Sequence, residues 1–393
     1  MSAIAPQLIA PATAHPDADP DANPDLGAVV CCPAGHDLHG HDTLTKASLA
    51  ASLARLFGLP YAGFAQLAAG LGAGHYLVPC ETLTQPQATL LGLPVGAQAL
   101  DRLFGGVVPH AFVASKVITH PLATADGDRP AGWMPAFADS VAPVVLPGWS
   151  AFDADAARRG CARLLHDGAV RVKNAAGVGG GGQAVVRDLD QFDALLDSQT
   201  FAPPWPLGLV LERNLQHVRT VSIGQVRVRG LQVSYYGRQR GTRDRHGDTV
   251  YGGSSLYLVR GDFDALMQRM LPRSLRLAAR QAMDYHRSAQ QCFDGFVVSR
   301  ANYDIAQGWD DAGTWRSGVL EQSWRIGGAS GAEVAALHAF QARPDLRWVQ
   351  ASTVECHADG ARPPPGAEVH FHGEDPQLGP LLKYSLLHAH GDH

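Results

Sequence analysis

Ala169-Val-Arg-Val-Lys173-Asn-Ala-Ala-Gly177-Val-Gly179-Gly-Gly-Gly182-Gln183 is the stretch on which the fold of this chain turns. A short alternating strand brings Lys173 to its end and then opens into five glycines, Gly177, Gly179, Gly180, Gly181 and Gly182, broken only by Val178. Such a backbone can approach an anion closely, which is phosphate-handling chemistry. The residues after the glycines decide the kind. Gly177, Gly179 and Gly182 satisfy the dinucleotide fingerprint, but that site needs its loop to open a helix, with an acid about 20 residues on. Here Gln183-Ala-Val-Val-Arg187 reads as a second strand. A P-loop is excluded as well, because its lysine follows the glycines and Lys173 precedes them. The stretch therefore reads as a β-hairpin with a glycine tip, either a lid over nucleotide phosphates or a flexible surface turn.

Around the hairpin, a helix from Ser150 to about His166 leads into the lysine strand, and Asp188 or Asp190 caps a short helix through Leu196. Residues 150–200 thus form a compact α+β unit. Pro203-Pro-Trp-Pro206 acts as a stiff joint into the apolar strand Leu207 to Leu211, which continues Glu212-Arg-Asn-Leu215. Antiparallel strands follow at about Val218 to Val228 and Gly230 to Tyr236. They flank a polar loop, Arg238 to Gly253, in which Arg238, Arg240, Arg243 and Arg245 are either solvated or an anion-receiving lip. A helix from Ser274 to His286 is predicted to pack through Leu275, Ala278, Ala282 and Tyr285. Two further strands carry polar faces at period 2: Arg300, Asn302 and Asp304 on one, Glu321, Ser323 and Arg325 on the other. Oxygen ligands on neighbouring strands suit Mg²⁺, which is shared between one or two carboxylates and substrate phosphates. The remainder reads as a helix through Phe340, strands at Val349 to Cys356 and Glu368 to His372, and a frayed polar end from His388.

Ahead of the lid, residues 1–26 read as a disordered acidic, Pro-rich tail, and residues 27–106 as a small α/β domain with a mainly parallel sheet. Its first helix begins near Thr43 with Asp42 as cap. The loop before it, Gly35-His-Asp-Leu-His-Gly-His-Asp42, offers His36 and His39 either to a substrate at the carboxyl end of the first strand or to a metal. Lys116 lies within Val107 to Leu122, and residues 123–147 read as a connector. A net charge of −5 argues against a nucleic-acid partner, and no apolar run approaches the roughly 18 residues of a membrane span. Six cysteines without metal spacing or a secretion signal predict a reduced, cytoplasmic protein. Of the 32 basic residues only Lys46, Lys116, Lys173 and Lys383 are lysine, a bias that marks these four as needed for a compact charge.

In this order the motifs from Val107 to Arg325 resemble the ATP-grasp superfamily, and the whole chain is similar to an uncharacterised bacterial family of predicted ATP-grasp proteins. The resemblance implies an ATP-grasp fold: an N-terminal Rossmann-like α/β domain over 27–106, an entry and Gly-rich lid subdomain over 107–206, and a larger C-terminal antiparallel-sheet subdomain over 207–393. It implies ATP and Mg²⁺ as cofactors. Lys116, Lys173 and the five glycines would meet the phosphates, Glu212 and Leu215 the adenosine, and Asp304, Glu321 and Ser323 the metal. Arg325 would act with Lys173 on the reacting groups. Ser323 stands where the family has Asn, and Val298 or Arg300 where it has its first acid, with Asp304 as the substitute. The implied reaction activates a small-molecule carboxylate as an acyl phosphate, captured by an amine or thiol. Bicarbonate activation of the biotin-carboxylase kind is a variant; a nucleotide-binding protein with little turnover and a metal-dependent hydrolase on the histidine loop are the alternatives.

Overall fold

Residues 26–391 are described by a computed structural model, apart from 34–37, 66–67, 95, 176, 178–180, 199–200, 202–204, 246 and 248. The acidic tail expected over 1–26 lies, up to residue 25, outside the described residues. Ala28–Cys32 is an unbroken apolar run buried along its length, as a central parallel strand requires. It lies between Tyr61–Phe64 and His75–Pro79, parallel to both. The helix His41–Phe57 packs beside this sheet and begins two residues earlier than expected. Its N-cap is Gly40; Asp42 sits in the first turn and pairs with Lys46 at 2.6 Å instead of capping. That corrects the predicted cap, and the reason is the gain from an i,i+4 ion pair on a buried lysine.

The lid is a four-stranded antiparallel sheet in the order Gly148–Ala151, Leu209–Arg213, Val170–Asn174 and Gln183–Val186. Helices Ala154–Leu165 and Leu189–Asp197 accompany it, their first turns capped by Asp153 and Asp188, each accepting a backbone N–H at 2.7 Å. Phe192, Cys161, Val170, Val172, Leu209 and Leu211 fill the core between sheet and helices. The strand ending in Glu212 thus pairs with the lysine strand itself. Lys173 opposes Val210, so Glu212 is its diagonal neighbour on the same face.

The largest sheet has eight antiparallel strands, in the order Trp315–Ser323, Arg300–Trp309, Gln216–Val228, Leu231–Arg243, Thr249–Arg260, Trp348–Cys356, Gly379–Gly391 and Glu368–Asp375. Helix Arg273–Cys292 covers one face through Leu275, Ala278, Ala282 and Tyr285, as its periodicity predicts. Helix Ser330–Ala342 and the N-terminal domain cover part of the other. Two expectations are corrected. The stretch from Arg238 is not a loop: Leu231–Arg243 and Thr249–Arg260 remain paired from Val233↔Arg260 out to Arg243↔Thr249. Up to Gly391 the end of the chain is not frayed, because Gly379–Gly391 is a strand that pairs with Trp348–Cys356 as far as Gly391 and with Glu368–Asp375 from Gly379 to Ser385. Polar side chains hid both strands, since a strand needs only one apolar face to be held.

Lid and sheet meet where Val145 bridges Val319 and where Asp311 accepts the Ala169 N–H and a Gln216 amide hydrogen, each at 2.7 Å. A Cβ at Gly318 would stand 2.6 Å from the backbone of Leu146 and Val145. Gly318→Ala is therefore expected to cost about 1–3 kcal/mol by overpacking this joint, read as a lower midpoint in urea denaturation.

Candidate nucleotide and metal site

The hairpin predicted from the glycine run is present. Lys173 pairs with Gln183, and the Asn174 N–H donates to Gly182 O at 2.8 Å to close the tip. At Gly177 a Cβ would lie 2.4 Å from Gly181 O, so this turn admits only glycine there. Gly179 and Gly180 lie outside the described residues, as does His36.

Lys116 joins the lid to the main sheet. Its Nζ donates to Gly177 O at 2.6 Å and pairs with Glu321 Oε2 at 2.7 Å. One ammonium thus touches both the glycine tip and the acidic strand. Lys173, 6% exposed, is ion-paired with Glu212, 1% exposed, whose other oxygen meets His120 Nε2 at 3.3 Å. Burial alone would raise the Glu212 carboxyl, but Lys173 and the His120 hydrogen bond outweigh it and hold the group at about 2. The Glu212 carboxylate is thereby engaged in fixing Lys173. Leu215 is buried with Leu146 and Ala306 at the joint between lid and sheet.

Across the sheet, Asp304 faces Glu321 and Asn302 faces Ser323 on adjacent strands. Burial and the Glu321 charge raise the Asp304 carboxyl above its ordinary range, against hydrogen bonds from Ser222 at 2.8 Å, Asn302 at 3.1 Å and Gln239 at 2.8 Å. A buried Asp304 carboxyl facing a second carboxyl across the strand pair is a fit for a cation. Among the described residues no group of three or more His, Cys, Asp or Glu stands close enough to hold a metal, so a divalent ion here would rely on this pair, waters and phosphate oxygens. Arg325 lies past the strand end and pairs with Glu81 of the N-terminal domain at 3.2 Å. His39 precedes the helix His41–Phe57.

Arg238 and Arg240 do not join this constellation. Gln239 reaches Asp304, and period 2 turns its neighbours Arg238 and Arg240 to the opposite face, where both are exposed. Arg243 is spent on Gly247 O of its own hairpin, at 2.5 Å. The reading of these arginines as a lip over the site is corrected accordingly.

A buried network was not foreseen. Arg300, 1% exposed, binds Glu333 in bidentate fashion at 2.8–3.1 Å and donates to Ser323 Oγ at 3.2 Å and Arg325 O at 2.7 Å. Tyr235 Oη bridges Glu333 at 2.5 Å and Asn302 at 3.0 Å. Burial opposes the Arg300 charge, and Glu333 more than restores it. An arginine within Phe-Val-Val-Ser-Arg-Ala was the available signal, since a cation in an apolar strand requires a buried acid.

With a four-stranded antiparallel sheet set against a larger eight-stranded one and a parallel-sheet α/β unit before them, the chain has an ATP-grasp fold. A biotin carboxylase–β-γ-ATP complex from Campylobacter jejuni superposes with a TM-score of 0.54 at 10% identity, over 91% of this chain and 87% of that one. A phosphoribosylamine–glycine ligase from Thermotoga maritima gives 0.49 at 14% identity over 92% of each chain, and D-alanyl-alanine synthetase A from Vibrio cholerae 0.48 at 11% over 76% and 89%. The chain belongs to the family described as "Protein of unknown function (DUF3182)", matched over residues 29–385. No curated protein matches it.

The Glu212 pairing has a measurable sign. Its carboxyl is depressed from 4.5 to about 2, so the folded state holds fewer protons, and the stabilisation is full above the ordinary value and lost as pH falls towards 2. Glu212→Gln is expected to lose about 3 kcal/mol at neutral pH, because Lys173 keeps its charge without a partner. Urea midpoints measured from pH 7 to pH 2.5 would show a flatter acid limb in the variant.

Proposed function

We propose that this protein is an ATP- and Mg²⁺-dependent ligase that activates a small carboxylic acid as an acyl phosphate and passes the acyl group to an amine or thiol. The observation that supports it best is the double contact of Lys116 with the glycine tip and Glu321, which centres one cation between a phosphate lid and an acidic pair. ATP phosphates would enter there. Lys116 and Lys173 would neutralise their charge, Glu212 and His120 would hold Lys173 in place, and the lid backbone would close over the γ-phosphate and exclude water. Asp304 and Glu321 would hold Mg²⁺, which when bound supplies charge neutralisation at the β- and γ-oxygens.

In the first step a substrate carboxylate oxygen bonds to the γ-phosphorus as the bond to the β-phosphate oxygen breaks, leaving ADP. In the second the acceptor nitrogen or sulfur bonds to the acyl carbon, phosphate departs, and the acceptor proton goes to solvent. Arg325, at the end of the Glu321 strand, would orient the carboxylate. The six free thiols and the residue chemistry are compatible with a reducing compartment such as the cytoplasm. No described helix is long and apolar enough to cross a membrane.

One observation favours a second reading, nucleotide binding with little turnover. The Arg300 guanidinium on Ser323 sets a fixed positive charge beside the position expected to ligate metal, which disfavours a second ion there.

Calorimetry with MgATP is the test: micromolar binding by the wild type, weakened at least about tenfold in Lys173→Ala and Lys116→Ala by loss of charge-assisted contacts. Glu321→Gln is expected to lower acid-dependent ADP release by about 10²-fold or more. Absence of ATP binding in the wild type would overturn the nucleotide site, and ATP binding without ADP release for any acid would favour the second reading.

A further inference from the structure

Half of the cysteines gather at one end of the N-terminal sheet, where neither the fold nor the nucleotide site requires a thiol. Cys31 and Cys32 close the strand Ala28–Cys32, and Cys80 follows the neighbouring strand His75–Pro79, its N–H donating to Cys32 O at 2.9 Å. Successive side chains leave a strand on opposite faces. Cys31 therefore shares a core with Cys80, while Cys32 turns into a separate apolar cluster with Leu77 and Leu83. The Cys31 and Cys80 sulfurs stand 3.8 Å apart, on residues 0% and 4% exposed.

Two polar groups attend this pair. Lys46 Nζ donates to Cys80 O at 3.4 Å. The Cys31 S–H lowers the Cys80 thiol, and Lys46 adds to that, against burial and the charges of Asp42 and Glu81; Cys31, as the donor, is raised. On the strand beyond Cys31, Tyr61 Oη is buried with no hydrogen-bond partner among the described residues, and both sulfurs act on its phenol. A proton shared between two sulfurs, beside an ammonium and an unpartnered O–H, is a setting in which a thiol becomes a nucleophile.

Access is narrow. Glu81, the residue after Cys80, has a side chain 57% exposed. Lys46 also lines a cavity whose free volume of about 30 Å³ holds on the order of two water spheres. Hydrogen peroxide is of that size, and glutathione disulfide is far larger.

The same segment braces the reaction site. Glu81 pairs with Arg325 at 3.2 Å, and Thr82 Oγ1 donates to Trp324 O at 3.2 Å. A disulfide holds its sulfurs at about 2.05 Å. Closing the pair from 3.8 Å therefore draws Cys80 toward Cys31 and pulls on Glu81 and Thr82.

We infer that Cys31 and Cys80 are a peroxide-sensitive dithiol whose disulfide releases the Glu81 and Thr82 contacts from the end of the Glu321 strand. The Cys80 sulfur attacks one peroxide oxygen, the O–O bond breaks, and the thiol proton leaves with the departing hydroxide as water, giving a sulfenic acid. The Cys31 sulfur then attacks the Cys80 sulfur. The S–S bond forms, the S–O bond breaks, and the hydroxide takes the Cys31 proton as a second water. Two thiols are oxidised to one disulfide as one peroxide is reduced to two waters.

The experiment treats the full chain with hydrogen peroxide, alkylates the remaining thiols in denaturant and maps the peptides by mass spectrometry. A cross-link between the Cys31 and Cys80 peptides is expected in the wild type and in Cys32→Ala, and not in Cys31→Ala. Glutathione disulfide should give it at least about tenfold more slowly, because access limits exchange. Amide hydrogen exchange at residues 324–326 should rise about fivefold or more in the oxidised protein and return on adding dithiothreitol, as local contacts set local opening. If Cys31 and Cys80 are still alkylated after peroxide has oxidised Cys292 or Cys356, the inference is overturned. A Cys31–Cys80 disulfide that leaves exchange at 324–326 unchanged also overturns it. Should Cys31→Ala not fold, Lys46→Met decides: it keeps both thiols and should form the disulfide about tenfold more slowly, and an unchanged rate counts against the inference. None of these readouts uses a nucleotide, so their failure leaves the ligase reading in place.

Discussion

An ammonium ion drawn out of water has to find a carboxylate, and in this chain that constraint ties the parts together. Lys173 with Glu212 joins two strands of the lid. Lys116 with Glu321 joins the lid approach to the main sheet. Lys46 and Lys383, each with its own acid, face one another from the N-terminal helix and the far end of that sheet. Isolated pairs of this depth are weak evidence for stability, since desolvation consumes much of the Coulomb gain. Their value is in fixing position. Each one leaves a compact cation at a defined place on the inner surface of the molecule.

The main sheet supplies the frame for those charges. Its two faces are treated differently: helix Arg273–Cys292 seals one with apolar side chains, while the other is divided between helix Ser330–Ala342, the N-terminal domain and a polar strip at Ser222, Gln239, Asp304 and Glu321. Beneath that strip the Arg300–Glu333–Tyr235–Asn302 network is saturated with hydrogen bonds, so it can be rigid as well as buried. Arg300 also reaches the Ser323 hydroxyl. The strand that carries Glu321 and Ser323 is therefore met by two cations, Arg300 at the Ser323 hydroxyl and Lys116 at the Glu321 carboxylate.

Much of this was legible in order along the chain. The Lys173 strand, the glycine tip and the returning strand announce themselves because a hairpin is a local object, specified by alternation and turn residues within about fifteen positions. The period-2 faces of the Asp304 and Glu321 strands were equally readable; the register that sets these acids opposite each other, with an irregularity between Asp304 and Ile305, was not, because alternation fixes a face and not a partner. The arginines at 238, 240 and 243 misled because charge density looks like a loop, whereas backbone pairing to Thr249–Arg260 made a strand of them. Glu212 was visible as a strand end with an acid. Its partnership with Lys173 and His120 was not, since these residues are 39 and 92 positions away.

The sequence by itself determined the local pieces: which segments alternate, where the backbone is bare enough to bend over an anion, which helices have an apolar stripe, and that four lysines persist among arginines. Tertiary structure alone decided which acid each lysine meets, which side of a strand faces the cleft, and that the two remaining ion pairs share a cavity. The division is physical. Periodicity and turn chemistry act over a few residues, while the pairing of buried charges is set by desolvation, which takes effect only when distant segments have closed off the water between them.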